Sequence, residues 1–356
     1  MILADRVAQC QTPFVVQDNH GGPIWKLNNT ADHAEEVAKC PTRYVLTDDL
    51  TRLCADLAYS KGARTVACAD LLHIPAPLLW IEWCNGPWQG ALQRYGFPLI
   101  EEGCQWVGRR GALIKSSLDG RCGTVRTFWN VGESGTQVLA SSLEAFFDFD
   151  AQESEGPEPP DGAEGLQAIQ VRDEMCAQGE DVLARCFRFR YERSWAEYYG
   201  KAGLAEEARS ALWRHTLGTI AVDIPMILAF VLLLSTRNGL PQRASDYERL
   251  NRARQKSGKR VLLDHIEVRA PLLPEYMEQQ RGEQHGMRRG PRLHHVRGHL
   301  VRRGSQLFWR VPHLRGNARA GSVRTRTVVW TFDDARKARA DSAAEHPPPS
   351  AQVASA

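Results

Sequence analysis

Apolar and polar positions change period several times along the chain, and each change predicts an element. Phe14-Val-Val16 and Pro77–Trp83 are short apolar runs bearing β-branched and aromatic residues, which predicts buried strands. Between them Leu50, Leu53 and Leu57 recur at helical spacing with Ala55 nearby, predicting an amphipathic helix over Asp48–Ser60. Trp106–Ile114, Gly123–Val131 and Ala145–Phe149 are rich in strand formers and separated by glycines. They predict an antiparallel meander on one or two helices, so residues 1–150 read as a mixed α+β domain.

Further along, Ile224–Leu234 is apolar on every side, with Asp223 before it and Pro225 in its first turn. This predicts a buried core helix capped by Asp223. Its eleven residues fall short of the about 20 needed to cross a membrane, so no membrane partner is expected. Ser245-Asp-Tyr-Glu248 has the form of a capping box, and Gly258 stands where a helix stop belongs. Tyr247, Leu250 and Ala253 share one side of that helix, and Arg249, Arg252 and Lys256 share another.

After Leu293 the period falls to two. Strands are expected over His294–Val301, Gln306–Val311 and Val323–Phe332, with a turn at Arg302-Arg303-Gly304-Ser305. Ala151–Gly165 is acidic, proline-bearing and nearly free of apolar side chains, which predicts a linker. Pro274–Pro291 reads as a loop, and 336–356 as a disordered tail. The expected fold class is therefore α+β, in five parts. These are an acidic α+β domain (1–150), the linker (151–165), a helical region (166–260), a basic antiparallel β-rich C-terminal module (261–335) and the tail.

Charge changes this picture from architecture toward function. Residues 1–235 carry 21 Lys+Arg against 31 Asp+Glu, whereas 236–356 carry 24 against 11 and seven of the eleven histidines. An acidic body joined to a basic C-terminal region points to an anionic partner, DNA or RNA first. The nine cysteines all precede residue 190, are odd in number and show no C-x-x-C spacing. A disulfide framework and a cysteine-based zinc ribbon are thereby disfavoured. The first residues lack a basic stretch followed by an apolar run, so a cytoplasmic location in a bacterial host is the expectation.

The expected strands place the candidate chemistry. Arg297 and His299 share a strand face with His295, and Arg324 and Arg326 share another, while Trp309 supplies an aromatic surface for base stacking. Arg249, Arg252, Lys256, Arg297, Arg302, Arg303, Trp309, Arg310, Arg324 and Arg326 are the expected nucleic-acid contacts. A second reading is a metal-independent ribonuclease with His299 and His313 as acid and base, and Arg297 and Arg315 stabilising the transition state. A third is a protein-binding inhibitor or virion component. His295 and His299 stand about 13 Å apart on a strand, too far to share one ion. No metal or cofactor is expected, since H-E-x-x-H, the P-loop, G-x-G-x-x-G and G-x-S-x-G motifs are missing from the sequence. Glu144, Asp148 and Asp150 read as a solvated carboxylate run. Glu82, inside an apolar run, reads as an internally paired or outward-pointing carboxylate.

Three stretches also carry a resemblance. His294-His-Val-Arg-Gly-His-Leu-Val-Arg-Arg303, followed by Phe308-Trp309 and His313-Leu-Arg-Gly316, is similar to a C-terminal signature of uncharacterised bacterial and phage proteins. Leu232–Gly258, with Thr236-Arg-Asn238 and Asn251-Arg-Ala-Arg254, and Ile74–Glu82 resemble parts of the same pattern. The resemblance implies a phage or mobile-element origin and carries no activity with it.

Overall fold

The computed structural model describes residues 2–10, 14–17, 24–27, 29–59, 70–95, 108–131, 137–151, 186–201, 217, 220, 222–236, 240–270, 292–296, 299–310, 313–315 and 317–322. At 14–17, 24–27, 29, 131, 201, 292–296, 313–315 and 317–322 it describes the backbone alone. Most of the expected linker (152–165), the loop at 274–291, the strand at 323–332 and the tail lie outside the described residues.

The fold is α+β. Its described helices are α1 (Leu3–Ala8), α2 (Asn29–Asp32), α3 (Ala34–Lys39), α4 (Asp48–Tyr59), α5 (Asn85–Arg94), α6 (Arg193–Lys201), α7 (Asp223–Leu234) and α8 (Glu248–Lys256). A mixed sheet runs through them. Its strands are β3 (Thr42–Leu46), β4 (Leu78–Cys84), β5 (Arg109–Ser116), β6 (Cys122–Val131), β7 (Gln137–Ala140), β8 (Leu143–Asp148), β9 (Phe187–Tyr191), β10 (Gln242–Ala244) and β11 (Ile266–Val268). The order is β10-β11-β3-β4-β5-β6-β8-β9, with β7 added alongside β6. β11, β3 and β4 are mutually parallel, β3 and β4 being joined through α4, whereas β4 through β9 form an antiparallel meander. A separate hairpin pairs β1 (Phe14–Gln17) with β2 (Ile24–Leu27).

Leu79–Trp83 are all completely buried, which a strand requires when both sheet faces are covered. On one face α1 and α3 enclose Leu3, Val7, Val37, Trp80, Leu113 and Phe128. On the other, α7 packs on α4, and Phe230 meets Tyr44 of β3 edge-to-face at 5.6 Å. The buried core helix expected at 224–234 is present, with every residue from Asp223 to Leu233 buried. An all-apolar helix has no face to give to water.

Trp80 fits only because its neighbour has no side chain. A Cβ on Gly111 would fall 2.5 Å from Trp80 Cζ2. Gly111→Val is therefore expected to overpack the sheet face and lower stability by about 1–3 kcal/mol. A urea midpoint that falls at unchanged slope is the check.

The chain groups into two compact units, and they differ from the five-part division expected from composition. The first comprises Met1–Pro271 together with His299–Arg310, and the second Leu272–Gly298 with Val311–Ala356. Strands on both sides of residue 150 share one sheet: β9 pairs with β8, and β11 pairs with β3. Main-chain pairing across long sequence separations leaves no trace in local composition. The strand expected over His294–Val301 is two strands, β12 (Arg292–Val296) and β13 (His299–Arg303). β13 pairs antiparallel with β14 (Gln306–Arg310) in the first unit. In the second unit β12 pairs antiparallel with β15 (His313–Arg315) and parallel with β16 (Asn317–Ser322).

Candidate nucleic-acid interface

Two exposed basic elements of the first unit hold all the expected contacts that the structure describes. The first is α8. Tyr247 is its N-cap, Asp246 just before it accepts the Glu248 amide at 3.3 Å, and Gly258 ends it in the left-handed region at φ +68°. Ser245 does not form the expected capping box. It exchanges bonds with His265 instead, donating its amide to the His265 carbonyl and accepting the His265 amide on Oγ, both at 2.8 Å. Asn251 fastens the helix to the following segment, donating Nδ2 to the Leu262 carbonyl at 2.9 Å and accepting the Leu262 amide at 2.8 Å. Arg254 and Arg260 are consumed locally on the Arg260 and Gln9 carbonyls. Arg249, Arg252 and Lys256 remain exposed, with Arg252 bonded to Glu248 one turn back.

The second is the β13–β14 hairpin. Its two-residue turn, Gly304-Ser305, needs a positive φ, and Gly304 supplies +61°. That turn fixes the register, and the register fixes which side chains face out. Leu300, Leu307 and Trp309 are 2–4% exposed and form the inner face. His299, Arg303, Phe308 and Arg310 alternate with them on the outer face, where Arg310 and Arg303 are exposed and His299 and Phe308 half-buried. Arg303 lies over the Phe308 ring at 5.8 Å, and His299 stands opposite Arg310.

This corrects two sequence expectations. Trp309 belongs to the interior and cannot stack on a base; Phe308 is the aromatic ring on the outward face. Arg302 lies on the inner side of the alternation and reaches past it to Asp70, donating at 2.7–2.8 Å, and to the Gly304 carbonyl at 3.0 Å. This exposed pair contributes at most about 1 kcal/mol. It joins the basic hairpin to the acidic body at the rim of a cavity of about 680 Å³ lined by Leu72, His73, Arg121, Ser235 and Leu307. Trp309→Ala is expected to cost about 3–5 kcal/mol of stability, as deletion of a buried indole does, and thermal unfolding checks it.

The other expected residues are not brought together. Arg297, Arg324 and Arg326 lie outside the described residues. His299 belongs to the first unit, while His313 and Arg315 form a strand of the second. Among the described residues no group of three His, Cys, Asp or Glu side chains is placed to hold a metal ion. No helix among them is long and apolar enough to cross a membrane.

Two buried ion-pair clusters flank the middle of the sheet. Arg109 and Arg110, adjacent on β5, point to opposite sheet faces. On one, Glu82 accepts the Leu3 amide at 2.7 Å, the Ala4 amide at 3.1 Å, Trp80 Nε1 at 3.2 Å and Arg109 Nε. On the other, Arg110 donates to Asn85 and to Asp223, both at 2.9 Å, and stacks 4.4 Å over Trp88. Asp223 is therefore an ion-pair partner, the first helical residue of α7 rather than its cap. Burial pushes its pKa up to about 6 against the opposing pull of Arg110. In the carboxylate run, Asp150 pairs with Arg121, which holds its pKa below the usual range, and Glu144 accepts from Arg190.

Compared with known proteins, the chain matches no family model, no curated protein and no solved structure.

Proposed function

We propose that the chain is a nucleic-acid-binding accessory protein of phage or mobile-element origin, acting in replication, regulation or anti-defence. The observation that carries this reading is the outward face of the β13–β14 hairpin, where Arg303 and Arg310 flank Phe308. Guanidinium groups suit phosphate contact, and an aromatic ring on the outward face suits stacking on an unpaired base. The exposed row Arg249, Arg252 and Lys256 on α8 adds sequence-independent phosphate contacts. The signature resemblance supports the phage or mobile-element setting.

The test compares variants with wild type in a salt titration. Arg303→Ala with Arg310→Ala is expected to weaken binding and to reduce the slope of log K against log salt by about 1.4–1.8, two phosphate contacts' worth. Phe308→Ala should cost about 1–3 kcal/mol on single strands and little on duplex. Unchanged affinity and slope in the double variant would remove the hairpin from the interface.

The pairing of His299 with Arg310 supports a second reading, cleavage of RNA, because it sets an imidazole and a cation opposite each other on the same outward face. In that case His299→Ala abolishes cutting and leaves binding in place.

A further inference from the structure

Arg126 lies mid-strand in β6, opposite Leu113 of β5, and is 5% exposed. Among the described residues neither its Nε–H nor its Nη1–H has an acceptor. Its Nη2 stands 3.6 Å from Glu144 Oε2, beyond hydrogen-bond length. That same oxygen already accepts from Arg190 Nη2 at 3.3 Å, so two guanidinium groups converge on one carboxylate oxygen. His33, edge-on to Phe128, is held below the usual imidazole range by its burial and then by the Arg126 charge.

An arginine cannot discharge itself by losing a proton, so a buried one needs acceptors and countercharge. Water would satisfy the N–H groups and leave the charge. An anion satisfies both. The two N–H groups sit on separate edges of the guanidinium, so one oxyanion engages one edge, where the planar fork of donors matches phosphate geometry and the anion adds countercharge. Arg190 and Glu144 retain 21% and 13% side-chain exposure, so the polar edge of the cluster meets solvent. We infer that Arg126, with Arg190 and Glu144 at its rim, forms the base of a binding site for a phosphate-class oxyanion, taken as inorganic phosphate or as the terminal phosphate of a nucleotide. This site is distinct from the hairpin and α8, and does not depend on them.

The experiment is thermal unfolding and titration calorimetry of the full chain with sodium phosphate, and separately with AMP, each balanced by sodium chloride to constant ionic strength. Wild type should gain about 3 °C in Tm at tenfold Kd and show saturable heat. Response to AMP but not to phosphate assigns the nucleotide source; response to both at similar concentration assigns the free ion. Arg126→Met should lose the response. Without phosphate it should unfold no lower than wild type, since it removes a buried charge lacking acceptors. Arg126→Lys, which keeps the charge, serves if the methionine variant does not fold, and should bind at least tenfold more weakly. No saturable effect of either ligand on wild type, or an undiminished effect in the folded variant, would overturn the site.

Discussion

Arg110→Met is expected to lower the unfolding free energy by about 3–5 kcal/mol, the usual cost of removing one partner from a buried ion pair. Asp223 is 1% exposed and would be left buried with no guanidinium beside it, and Asn85 Oδ1 would lose its donor. The loss should not be additive. Arg110→Met combined with Asp223→Leu replaces both charges with apolar groups and should recover most of the stability, as such replacements commonly do. The pH dependence has a definite sign. Asp223 titrates at about 6 in the folded chain and at about 3.9 unfolded, so between these values the folded state holds the extra proton. Its stabilising contribution is present below that window and lost as pH rises through it. Both influences that lower this pKa come from Arg110. In Arg110→Met the window therefore extends upward, and the deficit against wild type should narrow as pH falls from 8 toward 5. Urea unfolding at several pH values measures both effects. A loss under about 1 kcal/mol, or a deficit that widens in acid, would contradict the pairing.

Glu82→Ala is the second large effect, also expected at about 3–5 kcal/mol. Four donors converge on this one completely buried carboxylate: two backbone amides of α1, the Trp80 indole and Arg109. With it gone, α1 loses its hold on β4. Asp5 of α1 in turn accepts the Leu263 amide at 2.7 Å, so loosening should spread to the segment before β11. Hydrogen exchange should accelerate in Leu3–Val7 and at Leu263 together. Glu82→Gln should recover only part of the loss, because its amide NH2 faces groups that are themselves donors. A variant with native stability and altered chemistry would instead make Glu82 a functional carboxylate.

How far the fold was legible depended on whether a residue's partner is near in sequence. α7 and the interior position of β4 followed from unbroken apolar runs. The α8 helix followed from its periodicity and Gly258. Asp223 looked like a cap because its partner Arg110 lies 113 positions away, and no local pattern points there. Ser245 looked like half of a capping box for the same reason; its partner is His265 on the segment leading into β11. Arg126 carried no sequence signal at all, since its character comes from burial and from a shared carboxylate.

The hairpin is the instructive case for the candidate interface. Its arginines and aromatic rings were visible, and the turn at Gly304-Ser305 lay within the expected one. With a two-residue turn, Leu300, Leu307 and Trp309 share the inner face, leaving Phe308 outside. Treating Arg302 and Arg303 as turn residues hid that parity, and with it the diversion of Arg302 to Asp70. The acidic body and basic hairpin thus belong to one compact unit, joined at its surface by an ion pair that salt will weaken.

The most direct measurement is binding of the full-length chain to labelled single- and double-stranded DNA and RNA, from about 50 to 200 mM salt. The expected result is affinity that falls linearly on a log–log plot against salt. Intact nucleic acid on the same gels would mark a binder, and cut RNA the His299 chemistry. Absence of binding to all four at about 50 mM salt would contradict nucleic-acid recognition and direct attention to a protein partner.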